Sequence, residues 1–157
     1  MTPRLSDEQF ARIVTNVTQP MLGMKFAVAP SREITSALCW RAAFLDIGDR
    51  SVTVALSSDQ RGCTALGAAL FACAVDAVDS SIMNDSLAEL VNMTAGQIKG
   101  AMMLDQALGL PRVQDGNERL NGTPGWRAVR LRTDASVELL VWISDNHSKN
   151  LNLGAGK

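Results

Sequence analysis

Two pairs of short strand-like runs, each joined by a few turn residues, constrain this 157-residue chain more than any other feature. Ser36 to Leu45 and Ser51 to Ser57 are separated by a link containing Gly48 and Asp49, and the second run alternates as Val52, Val54, Leu56. Arg127 to Arg132 alternates basic and apolar residues, and Val137 to Ser144 follows across Asp134-Ala135-Ser136. Links this short cannot carry the crossover that parallel strands need, so each pair must be an antiparallel hairpin. Helical sequence precedes each hairpin. The order helix, hairpin, helix, hairpin predicts an α+β fold, an antiparallel sheet packed with long helices, and not a wound parallel sheet. It hints at an internal duplication, although no convincing repeat is visible in the residues.

The helices carry their own punctuation. Ser6-Asp7-Glu8-Gln9 reads as a capping box with acidic residues at the positive end of the helix dipole. Phe10, Ile13, Val14 and Val17 then recur at helical spacing, Pro20 is expected to end or kink the helix, and Gly23 lies just beyond. Arg61 to Val78 is alanine-rich and reads as helical, weakened by Gly62 and Gly67, and a further helix is expected from about Ser81 to Met103. Leu110-Pro111-Arg112-Val113 reads as a strand entry and Asp115 to Gly125 as loop. A single domain over 1–157 is expected, with its core over about 7–144 and a polar tail over 145–157.

Composition removes several functions. Lys and Arg number 15 against 16 Asp and Glu, so no basic surface for nucleic acid is indicated. The longest apolar run, Ala65 to Val75, contains Gly67 and stops at Asp76, well short of the roughly 18 residues a membrane span needs. Met1 to Phe10 carries Arg4, Asp7 and Glu8 and no apolar run, so it is no secretory signal, and a cytoplasmic location is expected. The N-x-S/T triplets at Asn16, Asn92, Asn121 and Asn146 are then chance matches. Three cysteines without CxxC spacing and one histidine, His147, leave a metal site almost without ligands, so no metal is expected. Cys63, in Arg61-Gly62-Cys63-Thr64, lacks the glycines and terminal arginine of a phosphate cradle and reads as a buried thiol. With aromatics at 4% and no Tyr, the core must rest on aliphatic residues and Met.

The informative helix is 83–103. At about 100° per residue, Met83, Leu87, Leu90, Thr94, Ile98 and Ala101 fall on one side, with Val91 and Met102 at its border. Asp85, Glu89, Asn92, Gly96 and Lys99 form a polar stripe opposite. By pattern alone such a stripe is a solvated face. Asn92 and Gly96, however, are poor choices for a solvated face, because both lower helix propensity. A carboxylate, a carboxamide and a gap along one ridge instead suit a docking edge.

The run Asp85-Ser86-Leu87-Ala88-Glu89-Leu90-Val91-Asn92-Met93-Thr94-Ala95-Gly96-Gln97-Ile98-Lys99 resembles the signature helix D-x-x-x-E-L-x-N-M-x-x-G-x-x-K of the CheX branch of the CheC/CheX/FliY chemotaxis phosphatases. Met21-Leu22-Gly23 and Leu110-Pro111-x-Val113-x-x-Gly116 agree more weakly. The resemblance covers about residues 7 to 144. The CheC side of the family has a proline 23 positions after the Asn, where Asp115 stands here; the likeness is therefore to CheX. In the first helix Asn16 has Ile13, and not Glu, three residues before it, so no second active helix is expected.

This resemblance implies a CheC-like fold and hydrolysis of the aspartyl phosphate on a CheY-type response regulator. The partner would be a phosphorylated receiver domain that supplies Mg²⁺ and a lysine, so the chain itself needs no bound cofactor. The chemistry asks little more than an oriented water and neutralised charge. Asn92 offers a donor and an acceptor for that water without adding repulsive charge. Glu89 is assigned an ion pair with the receiver's lysine, which orients the helix. Asp85, Gly96 and Lys99 extend the partner-binding ridge. The resemblance also implies a homodimer joined through sheet edges, which would protect exposed strands such as Val137 to Ser144. The alternative is a non-catalytic module of the same fold that binds or scaffolds a receiver. A small-molecule enzyme is disfavoured, because the stripe is expected to protrude and not to line a pocket.

Overall fold

The computed structural model describes residues 4–48, 52–116, 120 and 125–145. Asp49 and Ser51 of the first turn, most of the 115–125 loop and the tail beyond Asp145 lie outside the described residues. Among the described residues three α-helices, α1 (Asp7–Leu22), α2 (Gln60–Phe71) and α3 (Ser80–Ala101), accompany six strands. The strands are β1 (Ala27–Val28), β2 (Arg41–Ile47), β3 (Val52–Ser58), β4 (Arg112–Gln114), β5 (Trp126–Arg132) and β6 (Glu138–Asp145). They form one sheet in the order β1-β5-β6-β3-β2-β4, every pair antiparallel. The α+β expectation and both hairpins hold.

Local chemistry explains most element ends. Ser6 Oγ accepts from Gln9 N, and Gln9 Oε1 accepts from Ser6 N, completing the capping box. Pro20 does not end α1, which runs on to Leu22 before Gly23 (φ 67°) caps it in the left-handed conformation. Pro20 gives up one bond, to the carbonyl of the exposed Asn16, and only two helical residues follow it, so the loss is confined to the end of the helix. The Arg61–Val78 helix is shorter than expected: α2 stops at Phe71, where Ala72 turns left-handed (φ 51°), and only a 3-10 turn, Val75–Ala77, follows. Ser36–Cys39 is likewise a 3-10 turn, and β2 begins only at Arg41. Leu38 and Cys39 are buried, a pattern that a single helical turn and a strand end share.

The sheet has two different faces. Val54, Leu56, Val129, Leu131, Leu139 and Val141 join the helices in the main core. The other face gathers Phe44, Ala55, Leu140 and Trp142 under Leu38, Cys39 and Leu120. There Trp126 meets Phe44 and Trp142 edge-to-face, with ring centroids 6.2 and 6.4 Å apart. Three of the seven aromatics thus help build a second, smaller core that composition alone did not disclose, while Phe10 and Phe26 lie in the main one. β6 lies between β5 and β3 and is no exposed strand; the sheet edges are β1 and β4.

The duplication hinted at by element order is real in topology. Exchanging β1 with β4, β2 with β5 and β3 with β6 converts the strand order into its own reverse. Each edge strand directly follows a long helix in the chain and pairs with the hairpin of the other half.

Gly62 illustrates how packing overrules propensity. A Cβ there would sit on the Ser58 hydroxyl and 2.9 Å from the Glu138 carbonyl oxygen. Propensity favours Ala over Gly in a helix by about 1 kcal/mol, but overpacking against fixed backbone costs about 1–3 kcal/mol. Gly62→Ala is therefore expected to lower the urea midpoint, and a raised midpoint would contradict this packing.

Candidate functional site

Helix α3 is anchored before it presents its ridge. Asp79 Oδ1 accepts from Ile82 N at 2.9 Å as N-cap, and Arg41 Nη1 donates to Asn84 Oδ1 at 2.8 Å. Met83, Leu87, Leu90, Val91, Thr94, Ala95 and Ile98 are buried against the sheet and the other helices. Ala101, on the apolar side of the wheel, is exposed instead, because it is the last helical residue, just before Met103 turns left-handed at φ 57°.

Asp85, Glu89 and Asn92 are all exposed, while Gly96 and Lys99 are half-buried. Asp85, Ala88, Glu89 and Asn92 form one wall of an open cleft of about 410 Å³, and Gly109, Leu110 and Pro111 form the other. The ridge therefore borders a cleft and does not simply protrude. Gly96 and Lys99 continue the ridge but do not line the cleft. Among the described residues, the side chains of Asp85, Glu89 and Asn92 make no hydrogen bond or ion pair. Two carboxylates one helical turn apart, with a carboxamide one turn further, thus face solvent with their full bonding capacity unused.

Nothing in the sequence marks the far wall as part of the site, although Leu110-Pro111 belongs to a stretch that resembles the family. It leads into β4 and is held to the sheet edge: Gly48 N donates to Ala107 O at 2.8 Å and Gly109 N to Asp46 O at 2.7 Å. Leu108 bridges to Ile47 between these bonds. Gly116 of the same stretch has a packing role, since a Cβ there would lie 2.7 Å from the Cys39 carbonyl oxygen.

Other candidates are structural. Cys63 is buried and its thiol is pushed up to about 12, chiefly by that burial, so it stays protonated at neutral pH. Cys39 is buried and also raised, by burial first and by Asp115 second, whereas Cys73 is only half-buried. Ile13 lies in the core of α1, leaving the exposed Asn16 without an acidic companion. The described residues contain no cluster of three or more His, Cys, Asp or Glu able to hold a metal ion, and no helix among them is long and apolar enough to cross a membrane.

A three-helix α+β domain with a duplicated antiparallel topology and one polar helix ridge beside an open cleft is a recognisable class. Solved structures share its fold. CheX in the CheX–CheY–BeF₃–Mg²⁺ complex from Borrelia burgdorferi matches over 86% of this chain and 94% of its own, with TM-score 0.64 and 15% identity. The chemotaxis protein CheX from Desulfovibrio desulfuricans matches over 85% and 94%, with TM-score 0.63 and 19% identity. A CheC-like superfamily protein from Shewanella matches over 90% and 98%, with TM-score 0.65 and 13% identity. No family model and no curated protein matches the sequence. The chain has the fold of the CheX and CheC-like chemotaxis proteins.

Proposed function

We propose that this protein is a phosphatase of the CheX type, hydrolysing the aspartyl phosphate of a CheY-type receiver domain through Glu89 and Asn92. The observation that carries the reading is the unpaired Asp85, Glu89 and Asn92 set on one accessible helix ridge, in a chain whose fold is that of CheX. The neighbour from Borrelia is a complex of CheX with CheY, BeF₃ and Mg²⁺, which supports a receiver as partner and the receiver as the source of Mg²⁺ here.

In this mechanism Asn92 holds the attacking water in line with the phosphorus: its carbonyl oxygen accepts from the water and its amide group faces the phosphoryl oxygens. Glu89 pairs with the receiver's lysine, a charge-assisted contact that sets the angle of the helix. Asp85 and Lys99 meet the rim of the receiver, and Gly96 leaves room for it. The chain works in the cytoplasm as a homodimer.

The test is phosphate release from a receiver kept phosphorylated in large excess over the chain. A catalyst releases many phosphates per molecule; a non-catalytic binding module would shift the population once and stop. Gly96 adds a second readout. A Cβ there would meet only Leu108 Cδ1, at 3.9 Å, an ordinary contact. Gly96→Ala should therefore stabilise the free protein by about 0.5–1 kcal/mol while weakening receiver binding, measured as a higher urea midpoint and a higher Kd. Unchanged affinity would remove Gly96 from the docking ridge.

A further inference from the structure

The topological two-fold creates two equivalent places for a cleft, one between each long helix and the lead-in to its edge strand. In the first half that place is closed. Thr15 Oγ1 accepts from Phe26 N at 2.9 Å and donates to Phe26 O at 3.0 Å, while Thr18 Oγ1 donates to Met24 O at 2.8 Å. Phe26 is buried. The lead-in to β1 is thus stitched to its helix. In the second half the bonds run the other way, from the lead-in to β4 towards the sheet edge at Asp46 and Gly48. The cleft beside Glu89 and Asn92 consequently stays open.

The outer lip of that cleft ends in an anomaly, Leu110, which is 85% exposed. Isolated exposed leucines need no explanation, but this one stands on a restrained backbone. Gly109 is bonded to Asp46 O and leaves little room for a side chain, since a Cβ would lie 3.1 Å from that same oxygen, a tight approach. Pro111 confines the backbone of Leu110 to extended conformations. An apolar side chain held in water on a rigid lip, across from two unpaired carboxylates, matches a protein surface that presents an ammonium group beside an apolar side chain.

We propose that Leu110 is a docking residue for the receiver domain: it packs on an apolar side chain at the rim of the receiver's phosphorylation pocket while Glu89 takes the neighbouring lysine. This rests on the function proposed above. It divides the labour across the cleft, with the helix wall carrying chemistry and orientation and the lip carrying affinity. Because the lip is already ordered, little conformational freedom is lost on binding, and most of the gain from burying one leucine is realised.

The experiment compares Leu110→Ser and Leu110→Met with the unmodified chain in two assays. One is steady-state phosphate release from a phosphorylated CheY-type receiver. The other is direct titration of the same receiver loaded with beryllofluoride and Mg²⁺. Leu110→Ser should raise both KM and Kd by about 10- to 100-fold, the equivalent of exposing one leucine, with the loss concentrated in KM and not in kcat. Leu110→Met should stay close to the unmodified chain. Unchanged KM and Kd in Leu110→Ser would overturn the docking role while leaving the phosphatase reading intact. Weakened binding in a chain that releases no phosphate would support the docking role and overturn the phosphatase reading. A chain that binds no receiver overturns both.

Discussion

Asn92→Ala is expected to lower phosphate release from a phosphorylated receiver by about 10- to 10³-fold, the scale of losing one positioned transition-state contact. Binding should be largely kept. Asn92 is exposed and bonds to nothing else among the described residues, so its removal leaves no buried group unsatisfied and costs the fold little. The effect should therefore appear in kcat. Glu89→Ala should differ in kind. It removes the ion pair that orients the helix, so the loss should be shared between kcat and KM and should shrink as salt is raised, because salt already weakens that pair in the unmodified chain. If both variants release phosphate as fast as the unmodified chain, the assignment of this ridge fails.

Leu87→Ala is expected to destabilise the protein by about 2–5 kcal/mol, the usual result of emptying a leucine-sized space in a core. Leu87 lies between Asp85 and Glu89 in sequence but on the opposite side of α3, with no exposure to solvent. Measured against a total stability of about 5–15 kcal/mol, one such cavity removes a large share. A denaturant midpoint shifted at constant slope checks it. A loss below about 1 kcal/mol would mean that α3 is not seated as described. Because Leu87 touches only the core, activity per folded molecule should fall far less than in Asn92→Ala. The two variants thus separate damage to the platform from damage to the chemistry.

Elements made by short-range forces were legible from the residues. The capping box at Ser6 and Gln9 operates across three residues, and both hairpins follow from links too short for any other pairing. The ridge was legible for the same reason: Asp85, Glu89 and Asn92 share a face by helix geometry alone. Of the edge strands, β4 was legible only as a strand entry at Leu110-Pro111-Arg112-Val113, and β1 was not legible at all. β1 has two residues and β4 three, too few for a period to register, and each pairs with a partner far along the chain, as Ala27 does with Arg132 and Val113 with Ala43. The end of α2 was missed because Ala72, a strong helix former, adopts a left-handed conformation that its side chain does not encode.

The glycines mark the boundary most clearly. In sequence, Gly62, Gly96 and Gly116 differ little. In the folded chain Gly96 has room for a methyl group, whereas Gly62 and Gly116 are pressed against the carbonyls of Glu138 and Cys39. The likeness of 85–99 to a CheX signature helix, and the spacing that lines up a carboxylate, a carboxamide and a gap, belonged to the amino-acid sequence from the start. That β6 is interior, that the ridge overlooks a cleft, and that Leu110 stands on its far lip came only with tertiary structure. Spacing along a helix is set within about four residues, but a cleft is set by what lies across from it, and here that wall arrives from an edge strand held in place by the other half of the molecule.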